Sequence, residues 1–355
     1  KERQKEKCTM GLEFRKRLLS SSEIREQYPL PTSLAAIKAK RDEEIKAIFR
    51  GESRKFILVI GPCSADHPDP VLEYCGKLRE ISKGVEDQLF IVPRIYTNKP
   101  RTTGEGYKGM LHQPDPEKGE NVAGGIAAIR KLHMDVLRET GFSTADEMLY
   151  PDNLRYLSDI MSYIAVGARS VENQQHRLVA SGTDVPCGMK NPTSGDLGVM
   201  LNSVYAGQHG HDFIFREWEV KSDGNPYTHA IMRGSQNKHG QMLPNYHYED
   251  LKLLLSLYGE RELQYPSCIV DTNHCNSAKH YKEQLRIAQE VMHSRKYSEE
   301  LAGFVKGIMV ESYLLEGNCR AEDHVYGKSI TDACLGWEDT LRLIDSVYEY
   351  AQQTG

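Results

Sequence analysis

Phe56-Ile57-Leu58-Val59-Ile60-Gly61-Pro62-Cys63-Ser64 is a short apolar run that stops at a glycine and a proline and then presents a cysteine. A run of that length bounded by turn formers reads as a strand. The same texture recurs at Phe90–Tyr96, Thr144–Met148, Tyr163–Ala168, Val185–Met189, Thr228–Met232, Cys268–Asp271 and Phe304–Val310. Helical spacing fills most of the gaps, at Pro70–Ile81, Gly124–Glu139, Asn153–Met161, Tyr248–Leu257 and Lys279–His293. Eight strands alternating with crossovers predict an α/β fold, and a closed (β/α)8 barrel of the TIM type suits that count better than an open doubly wound sheet.

Working outward, Asp212–Lys221 reads as an inserted β-hairpin, joined to the sixth strand through Ser222-Asp223-Gly224-Asn225-Pro226. Tyr107–Gly119 reads as a long loop after the second strand. Residues 1–52 are expected to form an N-terminal helical arm, and 53–355 the (β/α)8 barrel. Lys1–Met10 is charged and unpatterned, as expected of a mobile end. Ser20-Ser21-Ser22-Glu23 is a helix start signal, and Thr32-Ser33 a cap before an amphipathic helix over Leu34–Phe49. That arm suggests an intersubunit or barrel-bottom contact, and a homodimer or homotetramer.

Of 355 residues, 45 are Lys or Arg and 50 Asp or Glu, a net charge of −5 that argues against gripping nucleic acid by bulk charge. No apolar run approaches the roughly 20 residues of a membrane span, and no signal-peptide pattern opens the chain, so a cytoplasmic protein is expected. Eight cysteines without a Cys-x-x-Cys pair predict free thiols rather than a disulfide framework.

The residue at or just past the end of each strand carries the functional signal. In order these are Cys63, Arg94, Glu147, Arg169, Lys190, Arg233, His274 and Glu311. In a parallel barrel all these ends open on one face. Four are cations; in the loop after the second strand Lys99 and Arg101 add two more, and Thr102 a hydroxyl. Arginine forks match phosphate and carboxylate, and six cations exceed what one phosphate needs. Two phosphorylated molecules, or one phosphate and one carboxylate, are the economical reading. The remainder are metal-ligand types. Closure of a barrel sets its first, seventh and eighth strands side by side, so Cys63, His274, Glu311 and the later Asp332 can converge. A mixed thiolate, imidazole and carboxylate set suits Mn²⁺, Fe²⁺, Co²⁺ or Zn²⁺ about equally.

Gly61-Pro62-Cys63-Ser64, Lys99-Pro100-Arg101-Thr102, Gly167-Ala168-Arg169, Gly188-Met189-Lys190-Asn191, Met232-Arg233-Gly234, Asn273-His274-Cys275-Asn276-Ser277, Met309-Val310-Glu311-Ser312 and Ser329-Ile330-Thr331-Asp332-Ala333-Cys334 occur in this order. Together they resemble the signatures of type I 3-deoxy-D-arabino-heptulosonate 7-phosphate (DAHP) synthase, from about Gly11 to the end of the chain. The resemblance implies metal-dependent condensation of phosphoenolpyruvate with erythrose 4-phosphate at the entry to the shikimate pathway. It assigns Cys63, His274, Glu311 and Asp332 to the metal. It assigns Arg94, Lys99, Glu147, Arg169, Lys190 and Arg233 to phosphoenolpyruvate, and Arg101 with Thr102 to the phosphate of erythrose 4-phosphate. Lys99, Glu147, Lys190 and His274 are the catalytic candidates, a lysine moving protons if neighbouring cations lower its pKa.

Two departures from the family pattern stand out. Asp146 replaces a usual glycine before Glu147 and is expected to bring an extra carboxylate beside the site. Tyr150, Leu154, Arg155 and the Thr183-Asp184 pair depart from the segments that form an aromatic amino-acid pocket, with Tyr150 expected to fill the place of an ammonium-binding acid. Weak or absent inhibition by phenylalanine or tyrosine follows. The competing readings are a sister synthase taking arabinose 5-phosphate or a modified sugar phosphate, and a non-catalytic sensor or scaffold.

Overall fold

The computed structural model describes residues 11–101 and 103–354. The expected mobile end Lys1–Met10 and the candidate Thr102 lie outside the described residues.

Eight strands form one all-parallel sheet: β1 (Phe56–Gly61), β2 (Leu89–Pro93), β3 (Ala145–Glu147), β4 (Tyr163–Val166), β5 (Cys187–Lys190), β6 (Thr228–Met232), β7 (Cys268–Asp271) and β8 (Val305–Glu311). Their order is β2-β1-β8-β7-β6-β5-β4-β3, with β1 paired to β8 from Ile57↔Gly307 to Gly61↔Glu311. A single bridge between Arg94 and Ala145 closes the ring. This is the expected barrel. Both faces of such strands are covered, so β1 is apolar throughout rather than alternating. Ile57 and Val59 point into the lumen, whereas Phe56, Leu58 and Ile60 pack under the outer helices.

The helices are α1 (Ser21–Gln27), α2 (Thr32–Arg50), α3 (Pro68–Ser82), α4 (Val122–Thr140), α5 (Pro151–Leu154), α6 (Gln174–Ala180), α7 (Leu197–Gln208), α8 (Tyr248–Gly259), α9 (Gln284–Tyr297), α10 (Glu299–Phe304) and α11 (Trp337–Thr354). A capping box between Ser20 and Glu23 starts α1, as its sequence predicts. By contrast α2 begins at Thr32 with Pro31 in the cap position and no side-chain cap. The C-terminal turn of α2 closes the barrel floor: Ile45, Ile48 and Phe49 join Ile57, Val59, Phe90, Val92, Tyr163, Ile231, Ile269 and Met309 in one buried cluster.

Two helices differ from their sequence reading. Asn153–Met161 is helical only to Leu154, because the Arg130 guanidinium takes the Tyr156 carbonyl at 2.9 Å and Ile160 N–H bonds Leu157 instead. The helix expected from Lys279 begins at Gln284 after a 3₁₀ turn, since Ala278 and Lys279 hold φ of 48° and 62°. The hairpin Asp212–Phe215 and Trp218–Lys221 is present, with a second short pair, Ser235–Gln236 and Met242–Leu243, that sequence reading missed. Among the described residues, no regular element occurs between Arg94 and α4. The seven described cysteines are free thiols.

Candidate active site at the mouth of the barrel

The loop after β1 carries Cys63 over the lumen. Its Sγ lies 3.4 Å from Asp332 Oδ2, and ligand atoms of Cys63, Glu311 and Asp332 all lie within 4.8 Å of one another. Lys99 Nζ bridges the group, 2.9 Å from Cys63 Sγ and 2.7 Å from Asp332 Oδ2. His274, the fourth candidate, approaches the trio at Glu311, its Nε2 3.7 Å from Glu311 Oε1. Its φ of 52° is the left-handed region, which histidine tolerates better than most residues.

These donors fit a cation. Lys99 already stands between thiol and carboxylate as a positive centre. Glu311 Oε1 is buried, close to Arg94 Nη2 (2.9 Å) and His274 Nε2, yet aligned with no donor, so it keeps a lone pair for an ion. Its partner Oε2 accepts from Asn273 Nδ2 at 2.6 Å, which fixes the carboxylate plane. Burial raises the Cys63 thiol pKa, Glu311 adds to the rise, and Lys99 opposes it. Asp332 loses some ionisation to burial but is held far below its usual range by Lys99.

The cations form a connected row around this centre. Arg94 is buried, donates to the Pro62 and Cys63 carbonyls at 3.2 and 3.1 Å, and lies over the Tyr96 ring at 3.8 Å. Gly61 permits this approach: a Cβ there would stand 2.4 Å from the Arg94 carbonyl. The Arg94 Nη1 is buried without an acceptor, a donor left for an anion. Lys190 bonds Asp271 Oδ2 at 3.1 Å, and the same oxygen lies 2.9 Å from His274 Nδ1, close but poorly aligned for a hydrogen bond. Next to Lys190, Asn191 Oδ1 accepts from Arg233 N–H at 2.8 Å. Glu147 leans toward Gly167, where a Cβ would stand 2.3 Å from its Oε1. Arg169 is exposed beyond β4 and, among the described residues, makes no ion pair or hydrogen bond. Arg101 is held by the Tyr107 carbonyl at 2.8 Å, in the loop rather than in the row.

Residues 34–344 match the family model described as the DAHP synthetase I family. The chain belongs to that family. It is 35% identical over 330 residues to the phospho-2-dehydro-3-deoxyheptonate aldolase of Haemophilus influenzae, covering 91% of this chain and 88% of that one. Identity to the Phe-sensitive enzyme of Escherichia coli K12 is 36% over 343 residues, 93% of each chain. The solved structure of the aldolase of that name from Francisella tularensis SCHU S4 superposes with a TM-score of 0.90 at 28% identity, over 97% of this chain and 99% of that one. As a DAHP synthase family member the chain is an enzyme that forms a carbon–carbon bond by aldol-type condensation in aromatic amino-acid biosynthesis.

Within this DAHP synthase three expectations need correction. Asp146 does not face the site: alternation along β3 turns Ala145 inward and Asp146 outward. There its carboxylate accepts from Thr97 N–H (3.0 Å), the Thr97 hydroxyl and Glu147 N–H (2.7 Å), facing His133 of α4 at 3.4 Å. Lys99 is not depressed by neighbouring cations: burial alone would lower it, but Cys63, Asp332 and Glu311 outweigh that and raise it. Tyr150 does not fill the pocket beside the hairpin. A cavity of about 490 Å³ lies there, walled by Leu154, Arg155, Asp159, Thr183, Asp184 and Phe213 among others, while Tyr150 is 42% exposed against the His112 ring.

Sequence reading also missed Asp271, the residue that joins Lys190 to His274. Burial would raise its pKa, but His274 and Lys190 hold it well below the carboxylate range. A lone acid closing the apolar run Cys268–Asp271 was the available signal.

Proposed function

We propose that this enzyme condenses phosphoenolpyruvate with erythrose 4-phosphate to give DAHP and inorganic phosphate, with a divalent metal at Cys63, His274, Glu311 and Asp332. The observation that supports it most directly is the cluster of Cys63, Glu311 and Asp332 around one positive centre, beside a row of arginine and lysine donors. The ion, when bound, supplies Lewis acidity toward the aldehyde oxygen of the sugar phosphate. Cys63 and Asp332, once engaged by it, release Lys99 to face the substrates.

In this reading Arg94, Lys190, Arg233 and Arg169 hold the carboxylate and phosphate of phosphoenolpyruvate. Arg101 and Thr102 take the phosphate of erythrose 4-phosphate. Carbon 3 of phosphoenolpyruvate forms the new bond to the aldehyde carbon, leaving positive character at carbon 2. Glu147 orients the water that adds to carbon 2, Lys190 or Lys99 moves its proton, and the carbon 2–phosphate bond then breaks. Arg169 and Arg233 stabilise the departing phosphate.

The test is phosphate release from phosphoenolpyruvate after chelator treatment and metal add-back, with erythrose 4-phosphate, arabinose 5-phosphate or no sugar. Release that needs both metal and erythrose 4-phosphate supports the proposal; equal release with arabinose 5-phosphate overturns the choice of acceptor. Cys63→Ala is expected to keep its circular dichroism spectrum and lose metal-dependent turnover by at least about 100-fold. Near-normal activity with added metal in that variant would remove Cys63 from the ligand set.

We infer further that the enzyme works as a homodimer or homotetramer. Leu12, Phe14, Ile214 and Trp218 are 61%, 73%, 74% and 72% exposed, large apolar side chains that contact with a second copy would cover.

A further inference from the structure

Among the described residues, eleven buried side-chain nitrogen or oxygen atoms have no hydrogen-bond partner, and three of them are Asp66 Oδ2, His67 Nδ1 and His324 Nε2. One ligand atom from each of Asp66, His67 and His324 lies within 4.8 Å of the other two. Buried polar atoms without partners are costly, and three converging on one point need a common explanation. Asp66 is fully buried and fixed by its other oxygen, Oδ1, which accepts from His67 N–H at 2.8 Å and Tyr313 O–H at 3.1 Å. Its Oδ2 is thereby aimed at His67 Nδ1, 3.7 Å away. His67 occupies the cap position of α3 without making a side-chain cap bond, so its ring is not spent on the helix. His324 follows the 3₁₀ turn Ala321–Asp323, and its ring stacks on that of His67 at 3.9 Å between centroids.

We propose that Asp66, His67 and His324 form a second metal site, separate from the Cys63 cluster, that binds a borderline divalent cation of the Zn²⁺ or Co²⁺ type. Two imidazole nitrogens and one carboxylate oxygen suit such ions, whereas Mg²⁺ and Ca²⁺ demand oxygen donors throughout. His67 retains 25% side-chain exposure, which leaves room for water as a fourth ligand. Asp115 and Glu117, in the loop after β2, add negative field at His67. The donors come from the loop after β1 and the loop after β8, the same two loops that carry Cys63 and Asp332. The site is therefore a structural clasp: an ion here ties the first and last crossover loops of the barrel together. The inference stands apart from the catalytic reading, because it uses none of the same ligands.

The experiment is Zn²⁺ stoichiometry of the full chain after chelator treatment, reloading and desalting, for wild type, His67→Ala, His324→Ala, Cys63→Ala and Cys63→Ala/His324→Ala. Two equivalents per chain are expected for wild type and one for each single variant, with none in the double variant. Retention of the remaining equivalent in His324→Ala, read with Co²⁺ by its thiolate charge-transfer band, reports that this variant is folded. Added Zn²⁺ should raise the melting temperature of Cys63→Ala and leave that of the double variant unchanged. Stoichiometry unaltered by both His67→Ala and His324→Ala overturns the proposal. If the Cys63 cluster itself takes no Zn²⁺, wild type and Cys63→Ala both hold one equivalent that His324→Ala loses, and the clasp still stands.

Discussion

Asp146 fills the place of a missing ladder. Between β2 and β3 the barrel is joined by one backbone bridge, at Arg94 and Ala145, and the next amide along, Thr97 N–H, finds the Asp146 carboxylate instead of a carbonyl. Because Thr97 lies two residues before Lys99, the carboxylate anchors the start of the loop that carries Lys99 and Arg101. Asp146→Ala leaves the buried Thr97 and Glu147 amides without that acceptor. A loss of about 1–3 kcal/mol is expected from the shift in urea midpoint at unchanged slope; a midpoint within error of wild type would mean that water replaces the carboxylate at no cost. Residue-scale chemistry of this kind was half legible. The types and strand-end positions of Cys63, Arg94, Lys190, His274 and Glu311 could be read, because strand direction alone puts them on one face. The direction of Asp146 and the pairing of Asp271 could not, since each depends on which neighbour across the sheet stands opposite.

At the scale of elements, α2 and the floor it makes carry a pH dependence. His229 on β6 is fully buried, packs 4.5 Å from the Phe49 ring of α2, and bonds Tyr163 Oη at 2.8 Å and the Tyr227 carbonyl at 2.9 Å. Burial lowers its pKa from 6.5 to about 4, partly offset by the Tyr227 carbonyl. The folded state thus keeps the ring neutral where the unfolded chain protonates it. Stability is full above the unfolded pKa and falls as pH drops through the interval down to about 4, by roughly 3 kcal/mol or slightly more in total. His229→Gln should remove that component. Unfolding free energies at about pH 7 and pH 4.5 would show a smaller difference for the variant, and equal differences would assign the acid sensitivity to other groups. Helix boundaries were the least legible elements, for a physical reason: Arg130 reaches in from α4 to stop the turn after α5, a contact invisible to periodicity.

The cavity beside the hairpin belongs to the same scale. Its deeper acid, Asp159, already receives both terminal nitrogens of Arg130 at 2.8 Å and faces Arg25 at 3.6 Å, while Asp184 is exposed. An incoming ammonium group finds one acid neutralised and the other solvated. Phenylalanine or tyrosine is therefore expected to inhibit by less than about half at 1 mM, a concentration that corresponds to only about −4 kcal/mol of binding. Strong inhibition at micromolar concentration in a titration of phosphate release would contradict this.

For the whole molecule, the alternation of short apolar runs with helical stretches was enough to specify the barrel, because a closed parallel sheet covers both faces of every strand. What lay beyond reach was which part of the arm serves the barrel itself: Ile45, Ile48 and Phe49 are consumed by the lumen, leaving Leu12, Phe14 and the hairpin tip exposed. Among the described residues no helix is long and apolar enough to cross a membrane. Light scattering should give at least twice the monomer mass, and Trp218→Glu combined with Ile214→Glu should shift it toward one chain without altering the circular dichroism spectrum. A monomer for the unaltered protein would overturn the oligomer reading.

The pairing of β1 with β8, and of Arg94 with Glu311, has a consequence for synthesis. A ribosome delivers Cys63 and Arg94 first, and more than half of the 355 residues must follow before Glu311 and Asp332 emerge to meet them. Until then the nascent protein has a thiol and a guanidinium without their acids. Proteolytic trimming ahead of residue 311 would accordingly silence the catalyst at a stroke rather than by degrees.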